Sequence, residues 1–350
     1  MNVPFKNSGR LLLGCLLLTG VISANAQDDG LKIVTTTSLI ADVVQNVVGD
    51  LATVTSIIPA ETDAHSFSPS PRDVAMIAEA DVVFINGASL EEGLLEILEE
   101  NSPVTPIVVS NGIEILGGGH EDEHAEGVEA TEEANHEHAA AEIIGVLGVD
   151  AICDVSEHEE EAEGEHEHGG CDPHVWTNPA NVIIWTQNIA AALSEADPDN
   201  AEIYAANATA YIAELEALMT EIDVLVAMVP VEQRILVTNH DFLAYFAHAY
   251  EFEIVGTVIP SISTATEVSP QDIVSLVETI EAENVRAIFA ENVANTALAE
   301  TVAEEIGYPV AVIGLYSDAL SAPDGVAATY LDYVRYNAAA IVDALIGEVN

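Results

Sequence analysis

CDPHVWTNP, residues 171–179, is the stretch around which the rest of the chain is organised. Histidines and carboxylates crowd the sequence before it, and helix-forming sequence follows it to about residue 229. Asn178 is a good helix cap, and Pro179 suits the first position of a helix. His174 therefore stands just before a predicted helix, and we expect it to be a metal ligand at the mouth of a cleft between two lobes.

The first half of the chain alternates predicted strands with predicted helices. Apolar and β-branched runs predict strands at 32–36, 54–58, 81–85 and 106–109, and helical periodicity predicts helices at 38–48, 71–79 and 91–99. Ser70 is the predicted cap of the second helix, followed by a proline and by Asp73 in the first turn. Such alternation is typical of a parallel sheet with helices on both faces.

The middle of the chain predicts two helices in succession, at residues 179–196 and 200–228. At about 1.5 Å per residue the second helix is roughly 40 Å long, the span of a whole domain. We expect it to form a rigid connection between the lobes.

The second half echoes the first at an offset of about 200 residues. ILVT at 235–238 parallels IVTT at 33–36, and SPQD at 269–272 parallels SPRD at 70–73. Further strands are predicted at 255–260, 285–289 and 310–314, and further helices at 295–306 and 325–346. The sequence therefore predicts an α/β protein with two lobes of like topology. Common α/β patterning alone is the alternative explanation of the echo.

The composition is strongly acidic. The 60 Asp and Glu residues against 7 Lys and Arg residues give a formal net charge of −53. Such a surface repels nucleic acid and anionic lipid and attracts cations, so we expect no nucleic-acid partner. Adaptation to an environment with much salt is the other explanation for the acidic surface.

The first 26 residues have the pattern of an export signal. Lys6 and Arg10 precede a short apolar run at 11–22, and Ala-Asn-Ala follows at 24–26. We therefore expect an extracytoplasmic protein, in the periplasm or at the cell surface, with residues 1–26 removed. Lipid attachment at Cys15 is the alternative.

Cys153 and Cys171 are the two cysteines beyond the signal. An even pair in an exported chain favours a disulfide. The bond would close a short loop and stabilise the fold by about 3 kcal/mol in the chain-entropy model. Two further metal thiolates are the alternative.

Residues 117–170 differ in composition from the rest of the chain. Asp, Glu, His, Gly and Ala dominate it, which predicts a disordered loop. Its histidines suit weak, multiple metal binding, and a metal-collecting role competes with that of a solvated acidic linker. These histidines are His120, His124, His136, His138, His158, His166 and His168.

Four residues are candidate ligands of one tight metal site. His65, His240 and Asp318 each follow a predicted strand, where ligands of open α/β sheets bind, and His174 precedes a helix. Three imidazoles and a carboxylate suit a borderline metal such as zinc. Taken singly, each histidine has the alternative of a hydrogen-bonded core residue, and Asp318 that of a turn or cap residue.

With these residues identified, the chain resembles the extracytoplasmic metal-binding proteins of ABC transporters, in the zinc-uptake branch called ZnuA-like. The resemblance covers residues 31–347. It rests on DAHSFSPSP at 63–71, DPHVW at 172–176, TNHD at 238–241 with Tyr245 and Phe246, and the acidic, histidine-rich insertion.

The resemblance implies two Rossmann-like lobes with parallel sheets, joined by a long helix, with the metal in the cleft between them. It implies that His65, His174 and His240 are the zinc ligands and that Asp318 is a fourth, less firmly assigned one. Manganese-type members tend to have Glu where this chain has His240. The resemblance also implies partners, a membrane permease with a cytoplasmic ATPase. The predicted divisions are a signal at 1–26, a first lobe at 27–178, a helical connector at 179–230 and a second lobe at 231–350.

The leading hypothesis is a monomeric binding protein that captures Zn²⁺ and delivers it to the permease, with no catalysis. A manganese- or iron-type protein of the same family is the first alternative. An exported zinc hydrolase is a second, but the chain carries no hydrolase signature. An adhesin or a metal buffer shares the site but lacks the transporter.

Overall fold

Short apolar runs form the strands of two separate parallel sheets. The computed structural model describes Met1 and residues 30–117, 171–292 and 296–347. Within these ranges the strands are β1 (Ile33–Thr35), β2 (Val54–Ser56), β3 (Val82–Ile85), β4 (Ile107–Val108), β5 (Ile235–Thr238), β6 (Glu253–Thr257), β7 (Ala287–Glu291) and β8 (Ala311–Leu315).

Helices cover both sheets. They are α1 (Ser38–Val48), α2 (Pro71–Ala78), α3 (Leu95–Asn101), α4 (Pro179–Ala196), α5 (Ala201–Val226), α6 (Ala244–Tyr250), α7 (Pro270–Glu283), α8 (Ala297–Glu305) and α9 (Tyr330–Ile346). None of the helices in the described ranges is both long enough and apolar enough to cross a bilayer.

The two sheets have the same strand order, which confirms the predicted α/β class with two like lobes. The first sheet runs β2-β1-β3-β4 and the second β6-β5-β7-β8, and all neighbours are parallel. Every residue of β1, β3 and β7 is buried. Continuous apolar strands of this kind require cover on both faces of a sheet.

The helix that follows the second strand of each sheet has the same start. Ser70 and Ser269 each accept a hydrogen bond from the backbone N–H three residues on, and the aspartate there bonds back to the serine N–H. This reciprocal bonding satisfies two otherwise unpaired helix N–H groups. The similarity between the two halves of the sequence therefore corresponds to the same capped helix start in each lobe.

The connecting segment consists of the paired helices α4 and α5. Asn178 caps α4 through its side chain, and Pro179 is the first residue of that helix. The helix α5 has 26 residues, about 39 Å at 1.5 Å per residue. It packs against α4, α1 and α9, so its apolar residues join the main core.

Several element boundaries differ from the predicted ones. The strand predicted at 285–289 is shifted two residues along, so β7 ends at Glu291. The last helix begins at Tyr330 instead of residue 325, because Thr329 accepts a hydrogen bond from the N–H of Asp332 and caps it there.

Candidate metal centre

The structure brings four predicted side chains together at the carboxyl ends of the strands. His65 lies in the loop after β2, His240 two residues after β5 and Asp318 three residues after β8. His174 immediately precedes the short 3-10 helix Val175–Thr177 that leads into α4. These four residues are called the cluster below. They come from both lobes, so the cluster lies between the two sheets.

The ring nitrogens of the cluster converge on one point. Nε2 of His174 lies 3.2 Å from Nε2 of His65 and 3.1 Å from Nε2 of His240. Oδ1 of Asp318 lies 3.5 Å from Nε2 of His174, and its Oδ2 lies 3.8 Å from Nε2 of His65. Ligand atoms at about 2.0–2.1 Å from a tetrahedral zinc ion are about 3.3 Å apart, so this spacing fits one ion. Nitrogen atoms this close to each other require a proton or a cation between them.

Asp318 is a buried carboxylate whose charge is unmatched by hydrogen bonds. Its side chain is fully buried, and neither oxygen has a hydrogen-bond partner among the described residues. Burial opposes its ionisation, but the neighbouring imidazoles of the cluster hold the pKa of Asp318 well below its usual range. A buried carboxylate of this kind is stable only beside a positive charge. The donor set therefore fits a cation.

Asp172 orients His174 from two residues away. Its Oδ1 lies 2.7 Å from Nδ1 of the imidazole and accepts the backbone N–H of His174 at 2.9 Å. Burial disfavours the imidazolium, but the charges of Asp172 and Asp318 outweigh burial and raise the pKa of His174 to about 10. A carboxylate on Nδ1 leaves Nε2 to face the metal position.

Glu291 makes the same kind of contact with His240. Its Oε1 lies 2.5 Å from Nδ1 of that imidazole, and both side chains are fully buried. Burial opposes the charge of Glu291, but His240 outweighs it and lowers the pKa of the glutamate below its usual value.

His65 is the least enclosed member of the cluster. Its side chain is 9% exposed, whereas those of His174 and Asp318 are fully buried. Burial lowers its pKa, so its imidazole is neutral more readily. Its backbone N–H donates to Oδ1 of Asp63, whose Oδ2 accepts from the hydroxyl of Thr264 in the other lobe at 2.7 Å.

Aromatic rings form the apolar wall of the site. Trp176 packs edge-on to His174 with the ring centres 5.3 Å apart, and Phe242 stacks on His240 at the same distance. Both of these aromatic side chains are fully buried. An apolar wall limits the access of water and strengthens electrostatic attraction inside the site.

Hydrogen bonds tie the two lobes together beside the cluster. Trp176 donates its indole N–H to the carbonyl of Ser317, next to Asp318. Tyr245, on α6 just after His240, donates its hydroxyl to the carbonyl of Asp172 at 2.8 Å. The same hydroxyl accepts the N–H of Leu116 at 3.0 Å. Segments that carry cluster residues of different lobes are therefore linked directly.

The remaining predicted site residues lie outside the described residues, except Cys171, whose predicted disulfide partner lies there. His120, His124, His136, His138, His158, His166 and His168 all fall in residues 118–170. Cys171 is buried, but its predicted partner Cys153 is also in that range. The weak loop sites, the disordered loop and the disulfide therefore stay predictions.

Two supporting carboxylates were missed by the sequence reasoning. Asp172 belongs to the quoted motif, and its place two residues before a candidate histidine was an available signal. Glu291 was missed because the strand was expected to end at residue 289. The rule used for the other candidates, a polar residue at the carboxyl end of a strand, would have found it.

The sequence is similar to those of known metal-binding proteins over almost its whole length. A family model described as zinc-uptake complex component A, periplasmic (ZnuA), matches residues 33–344. The manganese-binding lipoprotein MntA of Halalkalibacterium halodurans is 31% identical over 317 residues, which cover 91% of this chain and 89% of the relative. The metal ABC transporter substrate-binding lipoprotein SsaB of Streptococcus sanguinis is 32% identical over 337 residues, 96% of each chain.

A solved structure shows the same fold. The periplasmic zinc-binding protein TroA of Treponema pallidum superposes with a TM-score of 0.71 at 25% identity, and the match covers 90% of this chain and 99% of that one. The matched family region contains all four residues of the cluster.

Proposed function

This chain belongs to the ZnuA family of metal-binding proteins that serve ABC transporters outside the cytoplasm, and from that premise we propose that its cargo is Zn²⁺. In this proposal the protein captures the ion between its lobes and delivers it to a membrane permease driven by a cytoplasmic ATPase. The observation that carries the proposal is the convergence of three imidazole nitrogens and the carboxylate of Asp318 within 4.8 Å of one another. That carboxylate has no hydrogen-bond partner among the described residues.

The ligand chemistry supports zinc over manganese. Imidazole nitrogen suits zinc, whereas manganese prefers oxygen ligands in octahedral geometry. The relative MntA is named for manganese and TroA for zinc, so the names of relatives do not decide the metal. His240 favours zinc because a nitrogen occupies a position at which manganese-type members tend to place Glu.

The same geometry supports capture without catalysis. Catalytic zinc sites keep one coordination position open for water or substrate. Here four protein side chains converge on one point, and aromatic rings wall the site. A tetrahedral ion held by all four residues has no free position at which water could be activated.

Attachment to the membrane is a separate part of the proposal. We propose that residues 1–26 are a removed signal. Lipid attachment at Cys15 is the alternative, which the naming of MntA and SsaB as lipoproteins supports. Mass spectrometry of the exported protein distinguishes a chain that begins at residue 27 from one that begins at a lipid-modified Cys15.

Calorimetric titration of residues 27–350 with zinc and with manganese tests the metal assignment. We expect one tight zinc event, weaker manganese binding, and loss of the tight event in His240→Ala. His248→Ala is the matched control, because His248 is exposed at the end of α6. Tight manganese binding with weak zinc binding would assign the protein to the manganese alternative, and tight zinc binding by His240→Ala would remove the cluster from the proposal.

A further inference from the structure

Glu291 occupies a central position in the second lobe's half of the cluster. It is the last residue of β7, which lies between β5 and β8 in the sheet. The loops that follow those two neighbouring strands carry His240 and Asp318. Because parallel strands end at the same edge, one side chain at the end of the middle strand can reach both loops.

In the described part of the chain, the hydrogen bonds of the Glu291 side chain lead to the cluster. Its Oε1 faces Nδ1 of His240 at 2.5 Å and accepts from the amide of Asn239 at 2.8 Å. Its Oε2 accepts the hydroxyl of Ser317 at 2.6 Å. Among the described residues, each side-chain partner of this carboxylate is thus a member of the cluster or the neighbour of one.

A purely structural role does not account for this arrangement. Glu291 is fully buried, and a buried charge is destabilising unless it is paired well. An apolar residue of similar size would support a strand end at lower cost. The carboxylate is useful where an acceptor for an imidazole N–H is needed, because that bond fixes the tautomer and makes the other ring nitrogen a better ligand.

We propose that Glu291 is a positioning residue: it fixes the side chains of His240 and Asp318 relative to each other, so that both face the position of the cation. One oxygen fixes the ring of His240 with Nε2 towards the metal position, and the other holds Ser317 and therefore the loop of Asp318. This role rests on the proposed function, because it concerns binding at the same site.

The test compares zinc affinity and the absorption spectrum of the cobalt(II)-loaded protein in the wild type and in Glu291→Gln. We expect the variant to bind zinc about 10- to 100-fold more weakly, the range for outer partners of metal ligands. We also expect its cobalt absorption bands to shift, because the geometry at the metal changes. A general loss of stability would not by itself alter that spectrum.

Asp42→Asn is the matched control, since it also changes a carboxylate that is at least partly buried to an amide. The hydrogen bonds of Asp42 go to Asn46 and Tyr330 and not to the cluster. We expect wild-type zinc affinity and an unchanged cobalt spectrum in this variant. A Glu291→Gln protein with the affinity and spectrum of the wild type would overturn the proposal.

Ser317→Ala keeps the test decisive if Glu291→Gln does not fold. It removes one hydrogen bond to Glu291 and leaves all four cluster residues in place. We expect a smaller but measurable loss of zinc affinity, and an unchanged affinity would contradict the positioning role.

Failure of this inference is distinguishable from failure of the proposed function. If the wild type does not bind zinc, or His240→Ala binds it equally well, the proposed function is wrong. If both behave as expected and Glu291→Gln binds like the wild type, only the positioning role is wrong.

Discussion

At the scale of single residues, the site depends on carboxylates that no lysine or arginine among the described residues neutralises. Asp172, Glu291 and Asp318 are all buried, and their charged partners are imidazoles. Removing one charge from such a set leaves its partner poorly compensated. The affinity for a divalent cation is therefore expected to depend on each carboxylate individually.

Asp318→Asn tests this dependence directly. The change keeps the shape of the side chain but removes its charge, so we expect zinc binding to weaken by about 3 kcal/mol, or roughly 100-fold. Competition with a zinc-responsive chelator measures the change. Asp324→Asn is the control, since that side chain is exposed in the same loop and its charge is screened by solvent. Equal affinities in the two variants would show that charge at position 318 does not matter.

The four members of the cluster were predictable from sequence, but their supporting contacts were only partly so. Each strand-linked candidate follows a recognisable apolar run, so its approximate place at a sheet edge could be predicted. The bond between Glu291 and His240 was not predicted, because it depends on where β7 ends to within two residues. Strand ends are set by packing and pairing as much as by local sequence.

At the scale of secondary-structure elements, α6 links one lobe's part of the site to that of the other. His240 precedes this helix, and Tyr245 on its first turns bonds to Asp172 and Leu116. Any movement that separates the lobes must break those bonds. We therefore expect Tyr245 to slow the departure of the ion.

Tyr245→Phe removes the hydroxyl and keeps the ring. A lost hydrogen bond costs about 1 kcal/mol, so we expect zinc to dissociate several-fold faster. Stopped-flow release into excess chelator gives the rate. Tyr308→Phe is the control, because that hydroxyl donates to the carbonyl of Ile280 within one lobe. The interpretation fails if both variants release zinc at the wild-type rate.

Elements with strong local signals were predicted well, and contacts between lobes were not. The helix at 38–48 was predicted at both of its ends, and Asn178 with Pro179 marked the start of α4. The start of α9 at Tyr330 was missed, although Thr329 and Asp332 form a recognisable cap. The bond between Tyr245 and Asp172 joins residues 73 positions apart, so no local pattern could reveal it.

At the scale of the whole molecule, a partly buried acid links α1 to α9. Asp42 on α1 accepts the backbone N–H of Tyr330, the first residue of α9. Burial raises the pKa of Asp42 to about 6, against the effect of that hydrogen bond and aided by the charge of Asp332. The folded protein therefore holds this proton more tightly than the unfolded chain does. The stability that the proton contributes is fully present below about pH 4 and is lost as the pH rises through about 6.

Asp42→Asn should remove this pH dependence. The amide oxygen can accept the same hydrogen bond without a charge. Between pH 4 and pH 7 we expect the free energy of unfolding of the variant to rise relative to that of the wild type by up to about 3 kcal/mol. Urea unfolding of the metal-free protein across that range measures the difference. A constant difference between the two proteins would show that Asp42 titrates normally in the fold.

The predicted metal-collecting loop would raise the number of zinc ions that the whole chain binds. Deletion of residues 118–164 should leave one tight zinc and remove several weaker ones, because none of the four cluster residues belongs to the deleted segment. Calorimetry gives both stoichiometries. An unchanged number of bound ions would favour the acidic linker, whose histidines take no part in binding.

The two residues that flank the insertion are neighbours in the structure. Gly117 and Cys171 form an antiparallel bridge, and Asp172 donates its N–H to the carbonyl of Leu116. Paired backbones lie about 5 Å apart, so whatever length of chain runs between them, the ends meet the fold in the same place. This site is therefore a natural graft point. A fluorescent domain with adjacent termini could replace the insertion, next to the residues that would contact the ion, and turn the binding protein into an optical reporter of its cargo.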